Sequence, residues 1–175
     1  MKTIVVSYSL TGNNEDLAAS IAATFGAEHA RIAEPKPRKM GKIVLDAVLD
    51  RTPKIILAEE KIEAYDWVLF VGPVWMGQVA SPFRACFRQL SQKIGKYAFI
   101  SICGGADGPN PKLAGELEKR LGKEPACLLD LHIADLLPSE PKPTRDDTMG
   151  YRITEGDVKH LTDTVAATLR EAMVD

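Results

Sequence analysis

Ile4-Val5-Val6-Ser7-Tyr8-Ser9-Leu10-Thr11-Gly12-Asn13-Asn14 decides how this chain is read. The β-branched aliphatics favour an extended start, and the run then empties into hydroxyls, one glycine and two amides. Directly afterwards Leu17, Ala18, Ile21, Ala22 and Phe25 recur at the i, i+3, i+4 spacing of a helix packed on one face. A strand, a hydroxyl-rich loop and a helix start, in that order, aim backbone N–H groups and small donors at one point before the helix N-terminus. There the unpaired amides and the positive end of the helix dipole favour an anion. Residues 9–14 are therefore read as an anion cradle of a kind suited to a phosphate.

Outward from that stretch, short apolar runs alternate with longer amphipathic ones. Residues 2–7 form the first expected strand and residues 14–25 the first helix, closed by Gly26 in the C-terminal cap position. Residues 30–33 are the expected second strand. Pro35-Lys36-Pro37-Arg38-Lys39 is a loop, after which Met40, Ile43, Val44, Ala47 and Val48 recover helical spacing; residues 54–61 read as an extended connection. Residues 67–72, Trp-Val-Leu-Phe-Val-Gly, are continuously apolar, as expected of a central parallel strand covered on both faces. Ser81-Pro82 offers an N-cap with proline at the first helical position, and Phe83, Cys86, Phe87 and Leu90 line the helix behind it. Residues 97–103 and 126–131 supply two further strands, separated by a helix marked by Leu113, Leu117 and Leu121. Residues 136–152, with three prolines and mixed charges, read as a surface excursion. Thr154 and Asp157 then open the last helix as a capping box, with Val158, Leu161, Val165 and Leu169 on one face. Strands alternating with helices predict an α/β fold with a doubly wound, five-stranded parallel sheet, and residues 1–175 read as a single domain.

Composition narrows the function classes. With 26% charged and 45% hydrophobic residues, a formal net charge of -2 and a pI near 6.0, the chain has no basic surplus for nucleic acid. No apolar stretch approaches the ~20 residues of a membrane span, and the amino terminus lacks a signal-type apolar region. Cys86, Cys103 and Cys127 have neither an even count nor metal-ligand spacing and read as reduced thiols of a cytoplasmic protein. His29, His132 and His160 fall on separate elements, so no metal site is expected. A G-x-S-x-G elbow is missing, and the first turn lacks G-x-G-x-x-G. The basic residues among 36–42 read as a solvated helix entrance.

In an open parallel sheet, ligands bind beyond the carboxyl ends of the strands where the strand order reverses. Three segments of unusual composition leave strand ends: residues 9–14, residues 72–78 (Gly-Pro-Val-Trp-Met-Gly-Gln) and residues 103–109 (Cys-Gly-Gly-Ala-Asp-Gly-Pro). Each alone fits a cap, a packed aromatic or a tight turn. Their joint placement after the first, third and fourth expected strands points to one site.

Ser9-Leu10-Thr11-Gly12-Asn13-Asn14 resembles the flavin-phosphate loop of the flavodoxin family, [ST]-x-T-G-x-[TN]. Residues 73–77 resemble its second flavin loop and residues 103–108 stand where its third loop lies; the likeness runs over residues 1–131 and more loosely over the last helix. It implies the strand order 2-1-3-4-5 and FMN as cofactor. Ser9, Thr11 and Asn14 would then donate side-chain hydrogen bonds to the phosphate, with Leu10, Gly12 and Asn13 giving backbone amides. Pro73, Val74, Trp75, Met76 and Gly77 would flank the isoalloxazine ring, and Cys103, Gly104, Gly105 and Gly108 would meet its pyrimidine side. A phosphate held by amides, hydroxyls and a helix dipole needs no Lys or Arg in the loop, and residues 9–14 contain none. Two departures stand out: Asn14 replaces the usual threonine, and the third loop lacks the aromatic that covers the outer ring face in the electron carriers. The resemblance implies a redox protein mediating electron transfer with a partner protein. The alternative is an FMN-dependent NAD(P)H or quinone oxidoreductase acting on a small aromatic substrate, with oxidation of porphyrin precursors as a minor variant. A flavodoxin-like binding module without flavin is the third possibility.

Overall fold

The computed structural model describes residues 1–36, 43, 45–46, 49–57 and 62–174. Most of the expected second helix (Met40, Val44, Ala47, Val48), much of the basic stretch 36–42 and the end of the connection 54–61 lie outside the described residues.

Among the described residues, the chain runs β1 (Thr3–Ser7), α1 (Asn13–Phe25), β2 (Glu28–Arg31), β3 (Trp67–Val71), a short hairpin of β4 (Val74–Trp75) and β5 (Gln78–Val79), α2 (Ser81–Leu90), β6 (Lys96–Cys103), α3 (Leu113–Leu121), β7 (Cys127–His132), a 3₁₀ turn (Ile133–Leu136), α4 (Arg145–Met149) and α5 (Glu155–Ala172). The five long strands form one parallel sheet in the order β2-β1-β3-β6-β7. The hairpin is a separate two-stranded sheet. Counting the main sheet alone, its strands follow the expected order 2-1-3-4-5; the labels differ because the hairpin adds two short strands between them.

Every residue of β1 and β3 is buried, as strands covered on both faces require. One face meets α2 and α3 through Ile4, Val6, Phe70, Phe83, Phe87, Phe99, Leu113 and Leu117. The other meets α1 and α5 through Val5, Leu69, Ile100, Leu17, Ile21, Val165 and Leu169. Gly26 ends α1 at φ 58°, the left-handed cap that the sequence anticipates. Thr154 and Asp157 make both halves of the capping box on α5.

Four expectations change. The second strand is Glu28–Arg31 rather than residues 30–33, because backbone pairing of Ile4 to Glu28 through Ser7 to Arg31 sets it and its half-exposed side chains carry no apolar pattern. The segment after β3 is no plain loop: Met76 and Gly77, at φ 54° and 74°, make the two-residue turn of a hairpin pairing Val74 with Val79. The N-cap of α2 is Ala80, not Ser81; Ser81 enters the first turn, and its buried hydroxyl has no hydrogen-bond partner among the described residues. Residues 136–152 are more than a surface excursion. A second capping box, Thr144 with Asp147, starts α4 there and buries Thr148. No helix among the described residues is long and apolar enough to cross a membrane.

Candidate functional site

β1 pairs with β2 on one side and β3 on the other, so the crevice at this reversal opens beyond their carboxyl ends. The loop 9–14 closes its floor. Gly12, at φ 103°, supplies the carbonyl that starts α1, accepting from the N–H groups of Glu15 at 2.9 Å and Asp16 at 3.0 Å. Its own N–H donates to Ser9 Oγ at 2.9 Å, so Ser9 braces the loop. The main-chain N–H groups of Thr11, Asn13 and Asn14 have no acceptor among the described residues, as expected of donors in a helix's first turn. Glu15, whose charge would oppose an anion, is engaged elsewhere: it accepts from Ser7 Oγ at 2.9 Å and pairs with Arg31.

The two asparagines do structural work that the sequence did not disclose. Asn14 is 3% exposed. Its Nδ2 donates to the Ile102 carbonyl at 2.9 Å and its Oδ1 accepts from the Ile102 N–H at 3.0 Å. The side chain read as a phosphate donor is instead committed to the end of β6, leaving its main-chain N–H for an anion. Asn13 in the same way donates to the Tyr151 carbonyl at 2.9 Å and accepts from the Ile153 N–H at 3.3 Å. Those two bonds bracket Arg152, whose Nη1 lies 2.8 Å from where a Cβ on Gly12 would stand. The loop itself has no cation, but the fold delivers one to it from 140 positions further along the chain, counting from residue 12 to residue 152.

Beyond the loop opens a cavity of about 410 Å³, lined by Leu10, Thr11, Asn13, Asn14, Pro73, Val74, Trp75, Met76, Cys103 and Gly104 from the expected site and by Ile43, Ile133, Arg145, Thr148 and Met149 besides. Its volume is within the roughly 300–1,000 Å³ of small-ligand sites. Trp75 is half-buried and stands edge-on to Tyr8 at 5.9 Å between ring centroids. Leu10, Met76 and Met149 leave 38%, 67% and 64% of their surface open around this one mouth, an apolar rim of the sort that marks ligand sites. A contiguous cavity of about 220 Å³ takes in Gly77, Gly105 and Gly108 together with Cys103 and Gly104. Of the expected residues, only Ser9 and Gly12 line neither space; both shape the loop beneath. Another cavity, about 740 Å³, lies outside the crevice between the hairpin and α3 and shares Met76 and Gly77 with it.

Sequence reading missed the contribution of residues 133–152. Arg145 pairs with Asp107 at 2.8 Å, clasping the third loop to α4. Thr148 is packed so closely on Gly104 that a Cβ there would meet its Oγ1 at 2.9 Å. The T-x-x-D pattern at Thr144 and Asp147 is the signal that could have revealed this helix. Cys103 is also less isolated than its spacing implied, because β6 and β7 set it beside Asp130 and His132. Burial, and then the Asp130 charge, push its thiol up to about 11, against hydrogen bonding from Asn110.

No protein-family model and no curated protein sequence matches this chain. Among solved structures, a flavoprotein from Lactobacillus acidophilus NCFM in complex with FMN superposes with a TM-score of 0.65 at 22% identity, over 74% of this chain and 92% of that one. The apo form of that flavoprotein, solved by NMR, gives 0.60 at 20% identity over 77% and 94%. A candidate flavoprotein from Bacteroides eggerthii DSM 20697 gives 0.66 at 18% identity, over 94% and 98%. At these identities the likeness establishes the architecture: the chain has the α/β fold of these flavoproteins.

Proposed function

We propose that this chain binds FMN in the crevice beyond β1, β3 and β6 and works as a redox protein that mediates electron transfer. The observation carrying the proposal is the junction of two unlike environments. An anion-ready loop with free N–H groups and Arg152 opens directly into a mainly apolar cavity walled by Trp75. That junction suits a ligand with a charged phosphate at one end and a flat aromatic ring at the other. Binding of FMN by the L. acidophilus neighbour, which shares the fold, supports the choice of flavin.

In this reading the N–H groups of Thr11, Asn13 and Asn14, the Thr11 hydroxyl and the Arg152 guanidinium hold the phosphate. Pro73, Val74, Trp75, Met76 and Gly77 flank the ring on one side. Backbone of Cys103, Gly104, Gly105 and Gly108 meets its polar edge, while Thr148 and Met149 limit water from above. Bound flavin would supply one- and two-electron chemistry, tuned by hydrogen bonds and nearby charge. The purified protein is expected to be yellow, or to become so with one equivalent of FMN. Thr11→Val is expected to weaken FMN by about 1–3 kcal/mol, roughly 5- to 150-fold in Kd, read from quenching of flavin fluorescence. A colourless protein that fails to quench FMN would end the proposal, and unchanged affinity in the variant would remove Thr11 from the site.

The cavity of about 740 Å³ touching Met76 and Gly77 favours a second reading, an FMN-dependent oxidoreductase with its own small substrate. Steady-state turnover of NADH or NADPH with a quinone, without added reductase, would replace the carrier reading with this one. A carrier gives no such turnover.

A further inference from the structure

The carboxyl ends of β6 and β7 hold a cluster of side chains to which the flavin reading gives no role, since it uses only the backbone of Cys103. Cys103 and His132 are register partners on adjacent parallel strands, and Asp130 precedes His132 by two residues, so all three side chains leave the same face of the sheet. A thiol sulfur, a carboxylate oxygen and an imidazole nitrogen come within 4.8 Å of one another there. Cys103 Sγ is 3.8 Å from Asp130 Oδ1, and His132 Nε2 is 3.2 Å from Asp130 Oδ2. Tetrahedral coordination with metal–sulfur bonds of ~2.3 Å and metal–nitrogen or metal–oxygen bonds of ~2.0 Å requires edges of roughly 3.3–3.5 Å, near the distances that the two Asp130 oxygens make with the thiol and the imidazole, so rotations of the three side chains would close the set on one ion.

The surroundings fit the same purpose. Behind His132, Nδ1 faces Asp135 Oδ2 at 3.6 Å, the carboxylate-to-imidazole arrangement that orients a metal-bound histidine. Asn110 reaches into the cluster from the far side: its Nδ2 is 2.9 and 3.2 Å from the two Asp130 oxygens and 3.8 Å from Cys103 Sγ. A half-turn of that amide exchanges its NH₂ for its carbonyl oxygen and offers a fourth donor. Gly105, at φ 74°, is pressed on the imidazole so closely that a Cβ would stand 2.3 Å from His132 Cβ. The His132 and Asp130 side chains are 11% and 15% exposed, and Cys103 and Asn110 of the cluster line the cavity of about 220 Å³.

We propose that Cys103, Asp130 and His132, with Asn110 as fourth donor, bind one borderline-soft divalent cation, of which Zn²⁺ is the best match. The thiol argues against Mg²⁺ and Ca²⁺, which take oxygen ligands, and the mixed S/N/O set suits a tetrahedral d¹⁰ ion. The inference does not depend on the flavin reading, because no donor in it comes from the phosphate loop.

The test uses the full chain as purified, with any bound cofactor retained, after treatment with a chelator. Titration with Co²⁺ is expected to reach one equivalent, with the intense visible bands of a tetrahedral ion and a thiolate charge-transfer band, and Zn²⁺ should displace it. Cys86 and Cys127 are buried, so the thiolate band reports Cys103. Cys103→Ser should abolish that band, and His132→Gln should weaken Co²⁺ about tenfold or more. Absence of the bands at millimolar Co²⁺, or their survival in Cys103→Ser, would overturn the proposal. Should either variant fail to fold, alkylation of the wild-type chain decides instead. Saturating Zn²⁺ should protect Cys103 from iodoacetamide, mapped by mass spectrometry, and equal labelling with and without Zn²⁺ would refute the site.

Discussion

Asn14→Leu is expected to lower the unfolding free energy by about 2–4 kcal/mol, read as a fall in the urea midpoint at unchanged slope. Leucine matches asparagine in size and is the more hydrophobic, so a site that merely needed filling would tolerate or welcome it. This site needs more. Asn14 is buried, and its amide pairs with both the N–H and the carbonyl of Ile102, itself buried. Removing the amide strands one donor and one acceptor where water has little access, and each costs about 1–3 kcal/mol. The pin also ties the anion loop to the strand that runs into the third loop. Asn14→Leu should therefore weaken FMN as well as the fold, whereas Thr11→Val should weaken FMN alone, since Thr11 is exposed and makes no hydrogen bond among the described residues. A midpoint within error of wild type would refute the pinning role of Asn14.

The contrast between Thr11 and Asn14 says what kind of information the sequence held. The apolar run at Trp67–Val71 could be read as a central strand because burial on both faces leaves a local mark. The loop at residues 9–14 was legible for a similar reason: hydroxyls, glycine and amides between a strand and a helix are themselves the pattern. The partner of each amide, by contrast, is fixed by tertiary register. Nothing near Asn14 in the chain announces Ile102, and nothing near Gly12 announces Arg152. The edge strand Glu28–Arg31 was blurred because its pairing is made by backbone, with side chains free to be polar. The hairpin at Val74–Val79 escaped because its turn puts a methionine at φ 54°, a conformation in which glycine or asparagine is the usual signal. Cys103 and His132 are 29 residues apart, counting from 103 to 132, and become neighbours only through the register of β6 with β7. Spacing rules for metal ligands examine single segments, so they pass over a cluster of side chains assembled from two strands and a loop.

Gly72→Ala is expected to cost about 3 kcal/mol, at the upper end for overpacking by one methyl group. Gly72 leaves β3 at the point where the chain turns into the hairpin, and its N–H donates to the Ile100 carbonyl at 3.0 Å. A Cβ there would lie 2.1 Å from Phe83 Cε2, 2.7 Å from its Cζ and 3.0 Å from the Tyr8 carbonyl oxygen. The Phe83 ring has little freedom to withdraw. It is fully buried, edge-on to Phe70 at 6.0 Å and to Phe99 at 5.6 Å, and tilted against Phe87 at 5.7 Å. Strain must then pass to the backbone of residues 72–74, which enter the hairpin carrying Trp75. The loss should appear in the unfolding midpoint and in FMN affinity together. Phe83→Leu shrinks the obstructing group, so it should destabilise on its own yet offset part of the Gly72→Ala penalty. The double variant is expected to be more stable than the sum of the single effects by about 1 kcal/mol or more, within the coupling seen for residues in contact. Strict additivity would mean that the methyl group is accommodated by some route other than the Phe83 ring, and the close approach of ring to glycine would lose its role in setting the hairpin.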